Sequence, residues 1–401
     1  RARYISQRYD LTAQYTINAQ SFLSLGARAS GALNETYSRS FGIEATTGMG
    51  EWIWFVAPAL NFQYGSGINR VYLSIYGFSQ RPAAGNMRPV LDISDPSRLR
   101  TGNVYLRPSF LTTVNGSWTC NDREHFSTLM LYWFSNIGSS PVTYAQWNDA
   151  SGIFCSVPVN SKRPSLNSSL TANFTTPLDG ERIWSLNLGL SASYSSSSSY
   201  LSRGVLPALD KDSFDYSDFM ASFWGNADGD LFYGGQSGFA ENRTSTFRPS
   251  ANFVVKYNKD RFSFSLGAGS TGRISGYTLN PEINLKTLDS NISVRGSYTT
   301  KHEFEFNTDV NYAFYRGYAT GFGEPELRWN AEISTNLGAF NLSLTAHDIL
   351  NRSRNLSHII SGNYVEDSYR LMMGRYVLFG VKWNFGKMNA AHSRRAQEAA
   401  W

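Results

Sequence analysis

Near the C-terminus, in residues 377–385, apolar and polar side chains alternate with the period of a β-strand. One face carries Val377, Phe379, Val381, Trp383 and Phe385, and the other carries Leu378, Gly380, Lys382 and Asn384. An apolar face that ends in aromatic residues, with a lysine on its back, suits a strand between lipid and water. The alternation recurs upstream, for example in residues 303–315 and 326–337. It predicts an all-β, transmembrane, antiparallel meander β-barrel.

Composition favours this prediction over a soluble protein. Aromatic residues make up 15% of the chain and charged residues 17%, yet no run approaches the about 18 apolar residues of a transmembrane helix. A soluble β-sandwich alternates too, but strands of about 10–14 residues exceed the about 5–6 usual in globular sheets. The net charge of +5 is spread along the chain, so no nucleic-acid partner is expected. We expect an integral protein of the bacterial outer membrane, in contact with its lipid.

The connections between the predicted strands alternate in length, as short periplasmic turns and long external loops do. Short turns are expected near residues 16–19, 65–69, 121–124, 178–182, 258–260, 300–302 and 337–339. Long loops are expected near residues 38–50, 81–106, 139–164, 197–245, 275–287, 317–324 and 351–373. About fifteen strands (14–16) then fill a barrel domain at residues 1–386, and residues 387–401 form a polar tail.

An odd strand count makes the first and last strands run in the same direction. A barrel of this type has an even number of strands, with both termini in the periplasm. We therefore expect the chain to begin inside a larger barrel, and residues 3–15 not to pair with residues 377–385. The alternation within the predicted strands also places six large side chains on the outward, lipid-facing side: Phe304, Phe306, Trp329, Ile333, Phe379 and Trp383.

Three segments carry a resemblance to a known family. Residues 95–108 contain GNVYLRP, which resembles a "GNPxLxP" loop-to-strand element, with Val104 where proline is usual. Residues 346–351 end in DILN, which resembles the end of the penultimate strand of an outer-membrane barrel. Gly380, Trp383 and Phe385 fit a C-terminal signal for the barrel-assembly machinery. Together they resemble the C-terminal barrel of TonB-dependent outer-membrane receptors, in the SusC-related family.

The resemblance implies a 22-stranded barrel with a plug domain and a TonB box upstream. It implies a transporter that imports a nutrient too large for porins by loop capture and a plug-gated lumen. A surface lipoprotein lid or other outer-membrane complex subunits are expected partners, and TonB is one only if the plug and TonB box exist. Two alternatives stay open: a plug-less barrel that serves as a structural, partner-binding subunit, and a passive channel.

No catalytic constellation is present, so an enzyme is not expected, and no cofactor is implied. Six charged residues are expected to line the lumen: Arg295, Glu303, Glu305, Asp309, Arg328 and Glu332. Carboxylates and aromatics suggest an external ligand or partner site at Trp224, Asp228, Asp230 and Tyr233, with Trp147 from another loop. Calcium is an alternative ligand of the 197–245 loop. Cys120 and Cys155 are expected at opposite ends of the barrel, as free thiols.

Overall fold

The computed structural model describes residues 2–40, 43–202, 214–224, 239–318, 323–353, 356–360, 365–369 and 373–383. Within them lie twenty-one strands, one α-helix and two short 3₁₀ turns, Ala84–Met87 and Pro281–Ile283. No helix among these residues is long and apolar enough to cross a membrane. The elements are β1 (Ala2–Asn18), β2 (Ser21–Ser40), β3 (Ile43–Ser66), β4 (Asn69–Gln80), β5 (Leu91–Asp95), β6 (Arg98–Thr101), β7 (Ser109–Asp122), β8 (Ser127–Ser139), β9 (Val142–Asn148), β10 (Phe154–Asn160), β11 (Ser165–Pro177), β12 (Trp184–Ser202), α1 (Tyr216–Trp224), β13 (Phe239–Lys259), β14 (Phe262–Tyr277), β15 (Leu285–Thr299), β16 (Phe304–Arg316), β17 (Glu326–Leu337), β18 (Phe340–His347), β19 (Leu356–Ile360), β20 (Val365–Tyr369) and β21 (Tyr376–Trp383).

Fifteen of these strands form one antiparallel meander, which we call the wall. Consecutive ladders link them in the order β1-β2-β3-β4-β7-β8-β11-β12-β13-β14-β15-β16-β17-β18-β21. The ladders pair the backbone amides of each strand with its neighbours, as a membrane-spanning sheet requires. The predicted all-β meander and its strand number are confirmed.

The two faces of the wall differ as the alternation predicts. On β12, Leu190 lies opposite Ala172 and Ala251, while its neighbour Ser191 lies opposite Thr171 and Ser250. The six side chains predicted to face outward are 38–69% exposed in the bare chain. Their exposure confirms an apolar outer face that lipid covers.

The predicted short turns are all confirmed, but the loop predicted at residues 38–50 is wrong where it is described, and the loop predicted at 197–245 is shorter at both ends. Residues 38–40 and 43–50 continue the β2–β3 ladder as far as the pair Ser40–Ile43, so β2 and β3 are both longer than predicted. Residues 197–202 continue β12, which pairs with β13 up to Ser202–Phe239. Ladder hydrogen bonds join backbone groups and do not depend on side-chain type, so these segments can continue their strands.

The first and last wall strands do not pair with each other. Among the described strands, β1 forms a ladder only with β2, and β21 only with β18. The prediction that these two segments share no ladder is confirmed, while the 22-strand count stays a prediction. Cys120 and Cys155 are both free thiols, as predicted.

Because one face of the wall contacts lipid and the other contacts water, we expect a new charge to destabilise the protein more on the outer face than on the inner face. Leu190→Lys places an ammonium group on the lipid face, about six residues from the short-turn end of β12, near the bilayer centre. We expect it to lower the free energy of unfolding in lipid vesicles by about 2–4 kcal/mol, measured by urea titration.

The adjacent variant Ser191→Lys is the matched control, because it places the same charge on the inner face. We expect it to cost less than about 1 kcal/mol, since water reaches that side. Equal costs for the two variants would contradict the assignment of the faces.

Candidate functional site

Charged and amide side chains form a row across the inner face of the C-terminal strands. Arg295 on β15 lies opposite Asp309 on β16, and Asp309 lies opposite Asn330 on β17. The Asn330 amide Nδ2 donates to Asp309 Oδ2 at 3.0 Å. The row therefore presents a guanidinium, a carboxylate and an amide to the same side of the wall.

A second polar row lies one step closer to the short turns. Glu332 lies opposite Asn307 on one side and Thr345 on the other. Thr345 Oγ1 donates to Glu332 Oε2 at 2.9 Å, and Asn307 Nδ2 donates to Glu305 Oε1 at 3.1 Å. The carboxylates predicted for the lumen thus have neutral hydrogen-bond donors beside them on the inner face.

Arg328 lies on the same face, toward the long connections. Its Nη2 donates to Glu326 Oε1 at 2.8 Å, and its Nε donates to Ser353 Oγ at 3.3 Å. Ser353 belongs to the turn that follows the DILN residues. The hydrogen bond to Ser353 therefore connects the inner face to the turn after β18.

The DILN segment is a tight turn built around Asp348. Its carboxylate accepts hydrogen bonds from the backbone amides of Arg352 and Ser353, both at 3.1 Å. Burial acts to raise the pKa of the Asp348 carboxyl, but these amides and the Arg328 charge outweigh burial, so the pKa lies below its ordinary value. Asp348 is therefore an ionised structural anchor of this turn.

Glu303 is the exception among the predicted lumen residues. It lies in the turn before β16, with a positive φ of 61°, and its amide donates to Thr300 O at 3.3 Å. The prediction that Glu303 belongs to β16 is wrong, because the strand begins one residue later, at Phe304. That it lines the lumen stays a prediction. The sequence alternation continues through Glu303, but the backbone turns there.

The second candidate region is a folded unit on the long-connection side, which we call the cap. It consists of β5, β6, β9, β10 and α1. Strand β6 pairs in parallel with β10, β10 pairs with β9, and β9 pairs in parallel with the end of β12 at Tyr200 and Leu201. The cap sheet is thus continuous with the wall through β12.

The cap has a hydrophobic core of its own. Eight buried side chains form it: Leu99, Ala145, Trp147, Cys155, Val157, Val159, Tyr200 and Met220. Phe219 of α1 stacks on Trp147 with ring centroids 6.3 Å apart, and Phe239 meets the same ring edge-on at 5.9 Å. Three connections far apart in sequence therefore pack as one body.

The GNVYLRP element joins the cap to the wall. Asn103 is buried; its Nδ2 donates to Pro158 O at 2.9 Å, and its Oδ1 accepts the Tyr105 amide at 2.9 Å. A Cβ on Gly102 would lie 2.2 Å from Arg88 O, so only glycine fits there. Since the Val104 amide donates to the Tyr216 hydroxyl at 3.2 Å, the element also holds α1 in place.

Sequence reasoning missed Asn160, which ties the end of β10 to the segment before β7 and to the turn after β8. Its Nδ2 donates to Arg107 O at 3.0 Å and to Ser140 O at 2.9 Å, while its Oδ1 accepts the Arg107 amide at 2.8 Å. Nothing in the local pattern identifies it, because all these partners lie outside its own segment.

The predicted external site residues are only partly described. Trp147 lies in the cap core, 5% exposed, where it packs rather than faces solvent. Trp224 ends α1, and Asp228, Asp230 and Tyr233 lie outside the described residues. The described part of the chain contains no cluster of metal-ligating side chains. The ligand, partner and calcium assignments of this loop stay predictions.

Two of the three predicted assembly-signal residues lie on β21. The Trp383 ring stacks on Phe340 of β18 with centroids 5.6 Å apart, and a Cβ on Gly380 would lie 2.5 Å from Ser343 Oγ. Both residues therefore fit the pairing of the last two wall strands. Phe385 and the polar tail lie outside the described residues, and recognition by the assembly machinery stays a prediction.

An antiparallel wall with an apolar outer face and a polar inner face defines an integral β-barrel membrane protein. Residues 11–228, more than half of the 401 residues, match the profile of the outer membrane protein beta-barrel family. The chain belongs to this family; it is an integral protein of the outer membrane and not an enzyme. A comparison with curated proteins gave no match.

Three solved structures are similar to the chain. A mutant of the ferric enterobactin receptor of Pseudomonas aeruginosa has 9% identity and a TM-score of 0.25 over 94% of this chain and 69% of that chain. OccK5 (OpdH) of the same organism has 10% identity and a TM-score of 0.21 over 95% and 97%. OccAB4 of Acinetobacter baumannii has 8% identity and a TM-score of 0.22 over 95% and 90%. At these scores the likeness supports no functional assignment.

The cap core predicts that the two cysteines differ in reactivity. Burial raises the pKa of Cys155 to about 12, so its thiolate is scarce at pH 8. In the single-cysteine variant Cys120→Ser, we expect maleimide labelling of Cys155 at pH 8 to be negligible in the folded protein and complete in denaturant, measured by intact mass. Rapid labelling of the folded variant would contradict the buried position.

The hydrogen bonds of Asn103 between cap and wall predict a local loss of stability in the variant Asn103→Ala. The variant leaves Pro158 O and the Tyr105 amide without their partner, at a cost of about 1–3 kcal/mol. We expect faster amide hydrogen exchange in β6 and β10, with the wall unchanged. Asn115→Ala, an asparagine on the inner face of β7, is the control and should leave cap exchange as in the wild type.

Proposed function

We propose that this protein is an outer-membrane uptake receptor of the TonB-dependent type. It captures a nutrient too large for porins on its external face and passes it through a plug-gated lumen. The GNVYLRP and DILN elements, which resemble those of SusC-related receptors, support the proposal. Both are ordered junctions between connections and wall, held by Asn103 and Asp348.

The folded cap is the observation that carries the proposal. Capture from dilute solution benefits from a surface that is ordered before the ligand arrives, because less conformational entropy is then lost on binding. The cap core and the β9–β12 pairing provide that order, and they join the capture surface directly to a wall strand. A ligand bound there would lie beside the long-connection end of β12.

Coupling to the inner membrane requires parts that the resemblance implies. A plug would dock on the inner face, where Arg295, Asp309 and Glu332 offer charges of both signs. A TonB box would connect that plug to TonB. A surface lipoprotein lid, or another outer-membrane complex subunit, would cover the cap.

A passive channel is the second candidate, and the inner face favours it. Charges of both signs, interspersed with serine, threonine and asparagine, line a surface that water can fill without any plug. A polar lumen of this kind passes small solutes with weak selectivity. A third candidate, a non-transporting subunit, would use the cap only to bind partner proteins.

Two measurements on the same protein separate these candidates. For the receptor, we expect no steady conductance in planar bilayers, and uptake by cells that a protonophore abolishes. Asn103→Ala should reduce that uptake severalfold at an unchanged amount of folded protein, because it loosens the cap.

A steady conductance whose ion selectivity shifts in Arg295→Glu would overturn the receptor in favour of the channel. The outward-facing variant Leu190→Gln is the control for that shift, since it adds no charge to the lumen. If neither conductance nor uptake is found, and the protein co-purifies with outer-membrane partners, the non-transporting subunit is the correct function.

A further inference from the structure

An apolar groove opens on the lipid-facing side of the wall, across β8, β11, β12 and β13. It has a volume of about 280 Å³, and Trp133, Leu170, Ala192, Tyr194 and Phe247 line it with Ser168. Leu170, Trp133 and Phe247 are 40–53% exposed in the bare chain. Because the outer face of the wall contacts lipid, a lipid chain is the natural occupant of a groove in that face.

The groove lies at the external edge of the apolar band. Tyr194 is ten residues along β12 from Trp184 at the short-turn end. At the usual rise and tilt of barrel strands this corresponds to about 25 Å across the membrane, the height of the apolar band. The groove is therefore level with the interface of the outer leaflet.

The β12–β13 ladder shows the same boundary in its successive outward-facing pairs. Tyr194 pairs with Phe247, and the next outward pairs are Ser196 with Ser245, then Ser198 with Arg243. Aromatic residues give way to hydroxyls and then to charge within two steps. Such a change marks the passage from acyl chains to headgroups.

A cationic cluster lies just beyond the groove, on the same outward side. Arg243 Nε donates to Ser196 Oγ at 2.9 Å, and Arg163 Nε lies 3.0 Å from Glu241 Oε2. Each arginine makes this contact through Nε, and a guanidinium also carries terminal nitrogens that can donate to a further acceptor. Glu241 offsets one of the two positive charges, so the cluster of Arg163, Arg243 and Glu241 stays net positive.

We propose that the groove and this cluster form a binding site for an anionic, phosphate-bearing lipid of the outer leaflet. One acyl chain lies in the groove against Trp133, Leu170 and Phe247. The phosphate accepts hydrogen bonds from Arg243 and Arg163 at the interface. The site would fix a lipid beside the junction of wall and cap, because β12 is a wall strand whose end pairs with β9 of the cap.

The test measures lipid retained by the full chain in detergent, by native mass spectrometry, with dioleoyl phosphatidylglycerol as the anionic probe. We expect the wild type to retain it about tenfold more strongly than dioleoyl phosphatidylcholine. Arg163→Gln with Arg243→Gln should abolish that preference. Arg248→Gln is the matched control, since it removes an arginine from the inner face of the same strand.

Two further variants test the acyl chain separately. Ala192→Phe fills the groove, and Leu170→Asn makes it polar; each should weaken retention of both lipids severalfold. Both variants are compared as folded species, by heat-modifiable mobility on gels, and the second keeps the test open if the first fails to fold.

Three outcomes would overturn the proposal. Undiminished anionic preference in the double arginine variant would remove the headgroup role. Displacement of the anionic probe by millimolar inorganic phosphate, with no effect of the groove variants, would indicate a free-phosphate site. The third outcome is a dimer that forms without the probe, is cross-linked through Trp133 and persists when the probe is added. It would assign the groove to a second copy.

Discussion

The pairing of backbone amides and carbonyls is the interaction on which this structure depends. In hydrocarbon an unpaired amide or carbonyl costs several kcal/mol, so a strand that crosses the membrane must be paired along its length. The wall meets this requirement with fourteen consecutive ladders between fifteen strands. Side chains are then free to differ completely on the two faces, because they take no part in the ladder.

Because of that freedom, side chains in different parts of the molecule are suited to different surroundings, either lipid or water. Leu190 and Ile333 face lipid and need no packing partner inside the protein, while Asp309 and Glu332 face the lumen with amide and hydroxyl neighbours. The wall consequently has little conventional core. The hydrophobic core of the described residues lies in the cap, around Trp147 and Val157, where water surrounds the chain and burial is favourable.

Much of the wall follows from the sequence, whereas the cap does not. Alternation is a local pattern with a period of two residues, so β16 and β17 can be read directly from their side chains. The cap depends on parallel pairing of β6 with β10 and of β9 with β12, between segments that no local pattern connects. For the same reason Trp147 looks like a loop aromatic in the sequence, although it is a core residue in the structure.

The sequence by itself determined the class of fold, the lipid-facing side of the clearly alternating strands, such as β16 and β17, and the approximate positions of the short turns. Period-two polarity and turn-forming residues encode these features locally. Only the tertiary structure decided that residues 38–40 and 43–50 continue the β2–β3 ladder, that Glu303 lies in a turn, and that Asn103 and Asn160 hold the cap on the wall. Those features depend on backbone pairing and buried hydrogen bonds between distant segments, which the order of residues along one strand does not specify.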